Sequence, residues 1–305
     1  TDMVDASFAG WLTKRYAGLH NLPPTSPVMV HHIPEKLATY ALSEDSRRVA
    51  LLLLDGLAMQ QWLVLRDVLE QEAPDVTFSE DTAFAWIPTT TPVSRQACFA
   101  GRIPMHFRDT IHRTDKDQDR WIEFWREKGL DSREIAFHGP ENEIHARDLA
   151  SWLHPEISVL GLIISQVDKI MHGEQLGMQG MNSGVRQWAQ EGSLSGLLDT
   201  LTERGFTVLL TSDHGSVEAH GCGRPPVGSL SQTGGQRVRV YDREELLQRA
   251  LAECENARRW PSPGLPRDYQ AVLATNRHAF TTEGSLTVTH GGATIDEVMV
   301  PVVEI

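Results

Sequence analysis

Val49-Ala50-Leu51-Leu52-Leu53-Leu54-Asp55-Gly56 is an unbroken apolar run that stops on a carboxylate and a glycine. A strand with no polar alternation is covered on both faces, as in a parallel sheet between two helical layers. Two further segments end in the same way. Leu162-Ile163-Ile164-Ser165-Gln166-Val167-Asp168 has His172 four residues later, and Val208-Leu209-Leu210-Thr211-Ser212-Asp213-His214-Gly215 carries its histidine next to the acid. A fourth segment, Thr287-Val288-Thr289-His290-Gly291-Gly292, adds another imidazole. The carboxyl ends of buried parallel strands form one rim, where an open α/β sheet places its ligand. Three carboxylates and three imidazoles gathered there would be strongly unfavourable without cations; with two divalent metals they become a site.

Working outward, strands are expected at 48–54, 82–87, 157–167, 206–212, 286–289 and 302–305. Helices are expected at 57–72, from Val93 to about Gly101, at 117–128, at 184–204 with Gly205 as its stop, and near 294–298. The alternation predicts a mainly parallel central sheet with helices on both faces. Residues 1–47 read as a helical or loop lead-in. Residues 216–286 are rich in Gly and Pro, with one strand at 237–241 and one helix at 244–254, and read as a cap-like insertion over the active-site edge. The 305 residues are taken as one domain.

The chain is 40% hydrophobic and 23% charged, with no apolar run near the ~20 residues that span a bilayer. Its net charge of −13 excludes a general nucleic-acid-coating protein but not a nucleotide substrate, because bound metals invert the local field. The three cysteines, Cys98, Cys222 and Cys254, give neither a disulfide framework nor a zinc-finger spacing, which points to a reducing cytoplasm. The polar N-terminus lacks a signal-peptide core, and a start at Thr1 suggests a piece of a longer protein.

Asp55-Gly56, Pro88-Thr89-Thr90-Thr91-Pro92-Val93-Ser94-Arg95, Asp168 with His172, Thr211-Ser212-Asp213-His214-Gly215-Ser216 and His290-Gly291-Gly292 occur in the order seen in the alkaline phosphatase superfamily. Within it the chain resembles the PglZ domain over roughly residues 27 to 305, with Gln236-Arg237-Val238-Arg239-Val240-Tyr241 as a further supporting stretch. The resemblance implies an alkaline-phosphatase-like fold and a cytoplasmic, zinc-dependent phosphohydrolase of a BREX-type phage-defence system. Phosphodiesters such as oligonucleotides are its implied substrates, and other components of a defence complex its implied partners.

By that resemblance Asp168, His172 and His290 hold one metal, and Asp55, Asp213 and His214 hold the second, with Thr91 completing it. Taken singly each has a plainer reading: Asp55-Gly56 as a strand-end turn, Asp213 as a helix cap, His172 as a surface histidine. Ligands of mixed O and N type allow Zn, Mn, Fe or Co; zinc is favoured because imidazole supplies half of them, with Mn²⁺ as the alternative. Two ions roughly 4 Å apart can clamp the attacking and leaving oxygens of an in-line displacement. Thr91 is the implied nucleophile, being the second threonine of the Pro-Thr-x-Thr pattern, with Thr89 and Thr90 as fallbacks; a β-branched strand end would also explain one or two of them. Arg95, one helical turn after Thr91, is expected to hold phosphate oxygens with its guanidinium fork, or else to be an exposed helix arginine. Ser94 reads as a helix-start residue. Thr91 to Arg95 also resembles the sulfatase pattern, but threonine cannot become formylglycine, so sulfatase activity is disfavoured.

His31, His32, His106, His112 and His138 read as solvated or core histidines, and His220 as a candidate substrate contact. Arg237 and Arg239 share a strand face and either bind an anionic substrate or salt-bridge. Trp121 and Trp125, four apart, read as helix packing. The rivals to a phosphodiesterase are a phosphomonoesterase or phosphomutase on the same scaffold, and a weakly active, metal-stabilised scaffold component of a defence complex.

Overall fold

The computed structural model describes residues 2–24, 27–44, 47–74, 76–141, 144, 146–174, 176–225 and 235–305. Its strands are β1 (Arg48–Leu54), β2 (Ser79–Phe84), β3 (Ile135–Glu141), β4 (Val159–Ile164), β5 (Phe206–Thr211), β6 (Val217–Gly221), β7 (Val238–Tyr241), β8 (Ala257–Trp260), β9 (Gln270–Ala274), β10 (His278–Ala279), β11 (Leu286–Thr289) and β12 (Met299–Glu304). The helices are α1 (Asp2–Leu19), α2 (Ile33–Ala41), α3 (Met59–Glu72), α4 (Thr91–Ala100), α5 (Asp117–Glu127), α6 (Ala146–Trp152), α7 (Gln166–Gly173), α8 (Gly177–Ala189), α9 (Ser193–Glu203), α10 (Glu244–Glu253) and α11 (Ile295–Val298). No helix among the described residues is long and apolar enough to cross a membrane.

The central sheet runs β2-β12-β5-β1-β4-β3. β1 pairs parallel with β4 and β5, and β3 parallel with β4, while β12 is antiparallel to both β2 and β5. Successive side chains of β1 enter opposite cores. Val49, Leu51 and Leu53 join the layer of α1, α2, α4 and α5, and Ala50, Leu52 and Leu54 join the layer of α3, α7, α8 and α9. That division is why the run is apolar throughout. Gly161 of β4 leaves room for the rings of Phe137 and Trp121, whose atoms would lie 2.8 and 3.2 Å from an added Cβ. The indole Nε1 of Trp121 donates to the Ala136 carbonyl at 3.1 Å, and Trp125 is also fully buried, so both tryptophans pack the core.

Four expectations need correction. The strand placed at 157–167 ends at Ile164, and Asp168 stands in the first turn of α7. After Ile164 the pattern changes period: Val167 and Met171 bury one side of α7, leaving Asp168 and His172 together on another. The helix placed at 184–204 is two helices, parted where Gly192 takes φ +77°. The strand placed at 82–87 pairs over 79–84; Ala85 then bonds through its N–H to the Val298 carbonyl on the way to Pro88. The stretch 216–286 holds far more sheet than one strand: β6 lies between β10 and β11, and β9 between β7 and β8. α1 and α2 make the lead-in largely helical, as expected, while β3 and α6 are further elements that the apolar periodicity did not mark.

The lead-in is tied to the segment approaching the candidate site. Tyr16 of α1 is buried, donates its hydroxyl to the Ala85 carbonyl at 2.9 Å and accepts from the Ile87 N–H at 2.9 Å. Tyr16→Phe leaves two buried backbone groups without that partner and is expected to cost about 1–3 kcal/mol. Urea unfolding would show this as a lower midpoint at unchanged slope; an unchanged midpoint would show that the hydroxyl carries no net stability.

Candidate metal centre

β4, β1 and β5 are neighbours in the sheet, so their carboxyl ends open on one rim. Asp55 follows β1 directly, Asp213 and His214 follow β5, and α7 brings Asp168 and His172 from the end of β4. His290 arrives on the turn after β11, and Thr91 is the first residue of α4. The positions of Gly56 and Gly215 favour glycine for different reasons, the first for its backbone conformation and the second for want of space. Gly56 takes φ +75° while its N–H donates to Asp213 Oδ1 at 3.2 Å. A Cβ on Gly215 would fall 2.0 Å from the Asp296 carbonyl oxygen.

The six Asp and His residues fall into two sets. Asp168, His172 and His290 can each offer a ligand atom within 4.8 Å of the others, and so can Asp55, Asp213 and His214. The second set is fully buried, whereas the His172 side chain is 45% exposed. Asp55 Oδ1 and Asp213 Oδ2 are buried without a hydrogen-bond donor, facing His214 Nε2 at 3.8 and 3.6 Å. A buried carboxylate oxygen with no donor is costly unless a cation satisfies it, so the donor set fits a divalent ion.

The histidine tautomers support the same reading. His214 Nδ1 lies 3.0 Å from the Gly215 carbonyl and His290 Nδ1 lies 2.8 Å from the Thr89 carbonyl. A carbonyl only accepts, so both Nδ1 atoms carry a hydrogen, and in the neutral ring that leaves Nε2 as the nitrogen with the lone pair. The two rings stack at 3.9 Å with 8° between planes. Burial first, then the neighbouring His214, pushes the His290 pKa down to about 3, so the imidazole is neutral. Burial and the nearby Asp213 raise the Asp55 carboxyl well above its ordinary value, against the pull of Arg95. Burial also opposes the charge of Asp168, but the His172 imidazole at 3.4 Å and the other histidines bring its pKa down, and Asp168 in turn raises that of His172.

The three threonines have separate surroundings. Thr91 Oγ lies 3.0 Å from His214 Nε2, beside the buried set. Thr89 is fully buried; its hydroxyl donates to the Gly292 carbonyl at 3.0 Å and accepts from the Gly291 N–H at 3.0 Å, which binds it into the His290 turn. Thr90 is the N-cap residue of α4 and sits beside the Tyr269 hydroxyl.

Arg95 is not an exposed helix arginine: it is 3% exposed, and three of its five N–H donors meet protein acceptors. Nη1 donates to Asp55 Oδ2 at 2.6 Å, Nε to Asp117 Oδ2 at 2.8 Å, and Nη2 to the Thr114 carbonyl at 3.3 Å. Burial opposes the Arg95 charge, but Asp55 and Asp117 more than offset it and raise its pKa. Asp117 is a component that sequence reasoning missed. It reads as an ordinary first-turn acid of α5, yet it is buried, and burial raises its pKa to about 6 against the pull of Arg95.

The remaining candidates belong to neither Asp/His set. Ser94 is buried, with its hydroxyl on the Trp86 N–H at 2.9 Å. His138 stacks on Trp152, His112 on Tyr269, and His31 packs against His32 and Trp86. His106 and His220 are exposed, the latter in β6 opposite His278. Arg239 donates to the Val238 and Phe280 carbonyls, and Arg237 is buried against Glu297.

Residues 33–305 match the family model for the BREX system PglZ alkaline phosphatase-like domain. Among solved structures, murine ectonucleotide pyrophosphatase/phosphodiesterase 5 is similar in fold at TM-score 0.58. Its inactive form in complex with AMP is 11% identical, covering 84% of this chain and 87% of that one. A second murine structure also has TM-score 0.58, at 12% identity over 84% and 88% of the two chains. The human enzyme has TM-score 0.54 and 13% identity over 84% and 87%. Among curated proteins none matches the sequence.

Arg95→Met is expected to lower the stability of the metal-free protein by about 3–5 kcal/mol, because Asp55 and Asp117 lose a buried counter-charge. Urea denaturation after chelation measures it. A change within about 0.5 kcal/mol would mean that Arg95 behaves as a surface arginine does.

Proposed function

Because this chain belongs to the PglZ family of alkaline phosphatase-like domains, and so is a phosphoester hydrolase, we propose that it is a two-metal phosphodiesterase acting through Thr91. The observation that carries the reading is the meeting of two Asp/His sets at one rim, with the Thr91 hydroxyl 3.0 Å from an imidazole of one of them.

On this reading Asp168, His172 and His290 hold one ion, and Asp55, Asp213, His214 and Thr91 the other. When bound, the two ions supply charge neutralisation for the phosphate and a lowered pKa for the Thr91 hydroxyl. The chain's own residues do the rest. The Gly215 and Thr89 carbonyls hold the two imidazoles in the tautomer that leaves Nε2 unprotonated. Arg95 fixes Asp55 and keeps its charge balanced in a buried setting. α4 starts at Thr91 and turns its N-terminal dipole toward the same point. Thr91 Oγ loses its proton and bonds to phosphorus as the bond to the leaving oxygen breaks, and that oxygen takes up a proton. Water then attacks the phosphothreonine, releases the phosphoryl group and restores the hydroxyl.

The diester preference rests on the ligand count: superfamily monoesterases offer an extra metal or several basic groups to a third anionic oxygen, and among the described residues only two Asp/His sets meet at the rim. The AMP held by the fold-related murine protein supports a nucleotide or oligonucleotide as the esterified group. Zinc is the preferred ion, because imidazole supplies half of the Asp and His ligands. A BREX-type antiviral role with partner proteins follows the family description, and the free cysteines suit a reducing cytoplasm.

Hydrolysis of bis-p-nitrophenyl phosphate with added Zn²⁺ or Mn²⁺ tests the proposal. Metal-dependent turnover is expected, abolished by a chelator and lowered at least about 10³-fold in Thr91→Ala. Faster turnover of p-nitrophenyl phosphate would favour the monoesterase. A well-folded, metal-loaded protein with no turnover of either would favour the scaffold.

A further inference from the structure

The turn that carries His290 is gripped by a buried ion pair whose members are not metal ligands. Arg237 is 1% exposed and Glu297 is 0% exposed. Glu297 Oε1 accepts from the Gly292 N–H at 2.7 Å and from Arg237 Nε at 2.9 Å. Oε2 accepts from the Thr294 N–H at 2.9 Å and the Thr294 hydroxyl at 2.7 Å. A carboxylate has about four acceptor positions, so this one has none left for an ion or a substrate. Arg237 is equally engaged: Nη2 donates to the Asn276 carbonyl at 2.6 Å, Nη1 to the His278 carbonyl, and its backbone N–H to the His290 carbonyl at 3.2 Å.

The local helix does not explain this arrangement. Thr294 and Glu297 form a capping box for α11, which has four residues. Such a box uses the carboxylate to accept the N-cap N–H and needs no arginine. Here the same carboxylate reaches outside the box to Gly292 and meets the guanidinium of Arg237, which stands just before β7. Gly292 has no room for a side chain: a Cβ would sit 2.7 Å from Arg237 Nε and 2.8 Å from Glu297 Oε2. The backbone carbonyl of Glu297 also accepts from the Gly215 N–H at 2.9 Å, directly after His214. One residue therefore touches the turns of both buried imidazoles.

We infer that Glu297, locked by Arg237, is a positioning residue that sets His290 for its ion. The inference rests on the two-metal reading. Groups behind a ligand typically change metal affinity by about 10–100-fold when replaced.

The test is a Co²⁺ or Zn²⁺ titration of the metal-free chain, comparing wild type, His290→Ala and Glu297→Gln. His290→Ala identifies the step that belongs to the ion it holds. Glu297→Gln keeps the backbone carbonyl on Gly215 and is expected to weaken that same step about 10–100-fold, with the other step within about twofold of wild type. Arg237→Lys, which keeps the charge but loses the fork, is expected to weaken the same step by a smaller factor and serves if Glu297→Gln does not fold. Wild-type affinities in both variants, or equal weakening of both steps, would overturn the inference while leaving the two-metal reading intact. A wild-type chain that binds no second ion would remove both.

Discussion

Two carboxylates from adjacent parallel strands, Asp55 and Asp213, are buried within reach of one another, and the surrounding structure is arranged around that repulsion. Like charges in a dry setting either neutralise one another by protonation or require positive charge nearby. The protein supplies one permanent cation, the Arg95 guanidinium, and shares it between Asp55 and a third acid, Asp117. The position of Arg95 fixes α4 relative to β1, because Thr91 lies one helical turn before it, on the same helix. The nucleophile candidate and the ligand aspartate are thus coupled by an electrostatic constraint that exists without any ion.

That constraint was half visible in the sequence. Val49–Leu54 and Phe206–Thr211 were legible as strands because both faces of each are covered, which removes most of the polar alternation. The acids that end those runs were legible for the same reason, and their separation into two groups accords with the sets implied by family resemblance. β3 was not legible: Ile135-Ala136-Phe137-His138-Gly139-Pro140-Glu141 is a sheet-edge strand with a glycine and a proline in it. The helical placement of Asp168 was hidden because Val167 extends the apolar run of β4 in sequence while belonging to α7 in space. Spacing put Arg95 on the same side of α4 as Thr91 but could not say which partner it would meet, and Asp117 carried no signal beyond an acid in a first helical turn.

A second constraint acts between turns rather than between charges. Thr89 holds the Gly291 N–H and the Gly292 carbonyl through its hydroxyl, and the His290 ring through its own carbonyl. The turn leading into Thr91 and the turn after β11 therefore cannot shift independently, although about 200 residues separate them in sequence. Glu297 performs the corresponding task between the His290 turn and Gly215. The rim is thus a closed circuit of short hydrogen bonds, and the strands set only its starting points.

α7 gives the two Asp/His sets unequal access to water. Asp55, Asp213 and His214 are enclosed, whereas Asp168 and His172 lie on a short helix with the imidazole 45% exposed. On the two-ion reading, the outer ion is then the labile one. It would equilibrate rapidly with the metal pool of its surroundings, while the inner ion would leave only when the enclosing turns open. The occupancy of the outer position would then follow metal supply more closely than that of the inner one.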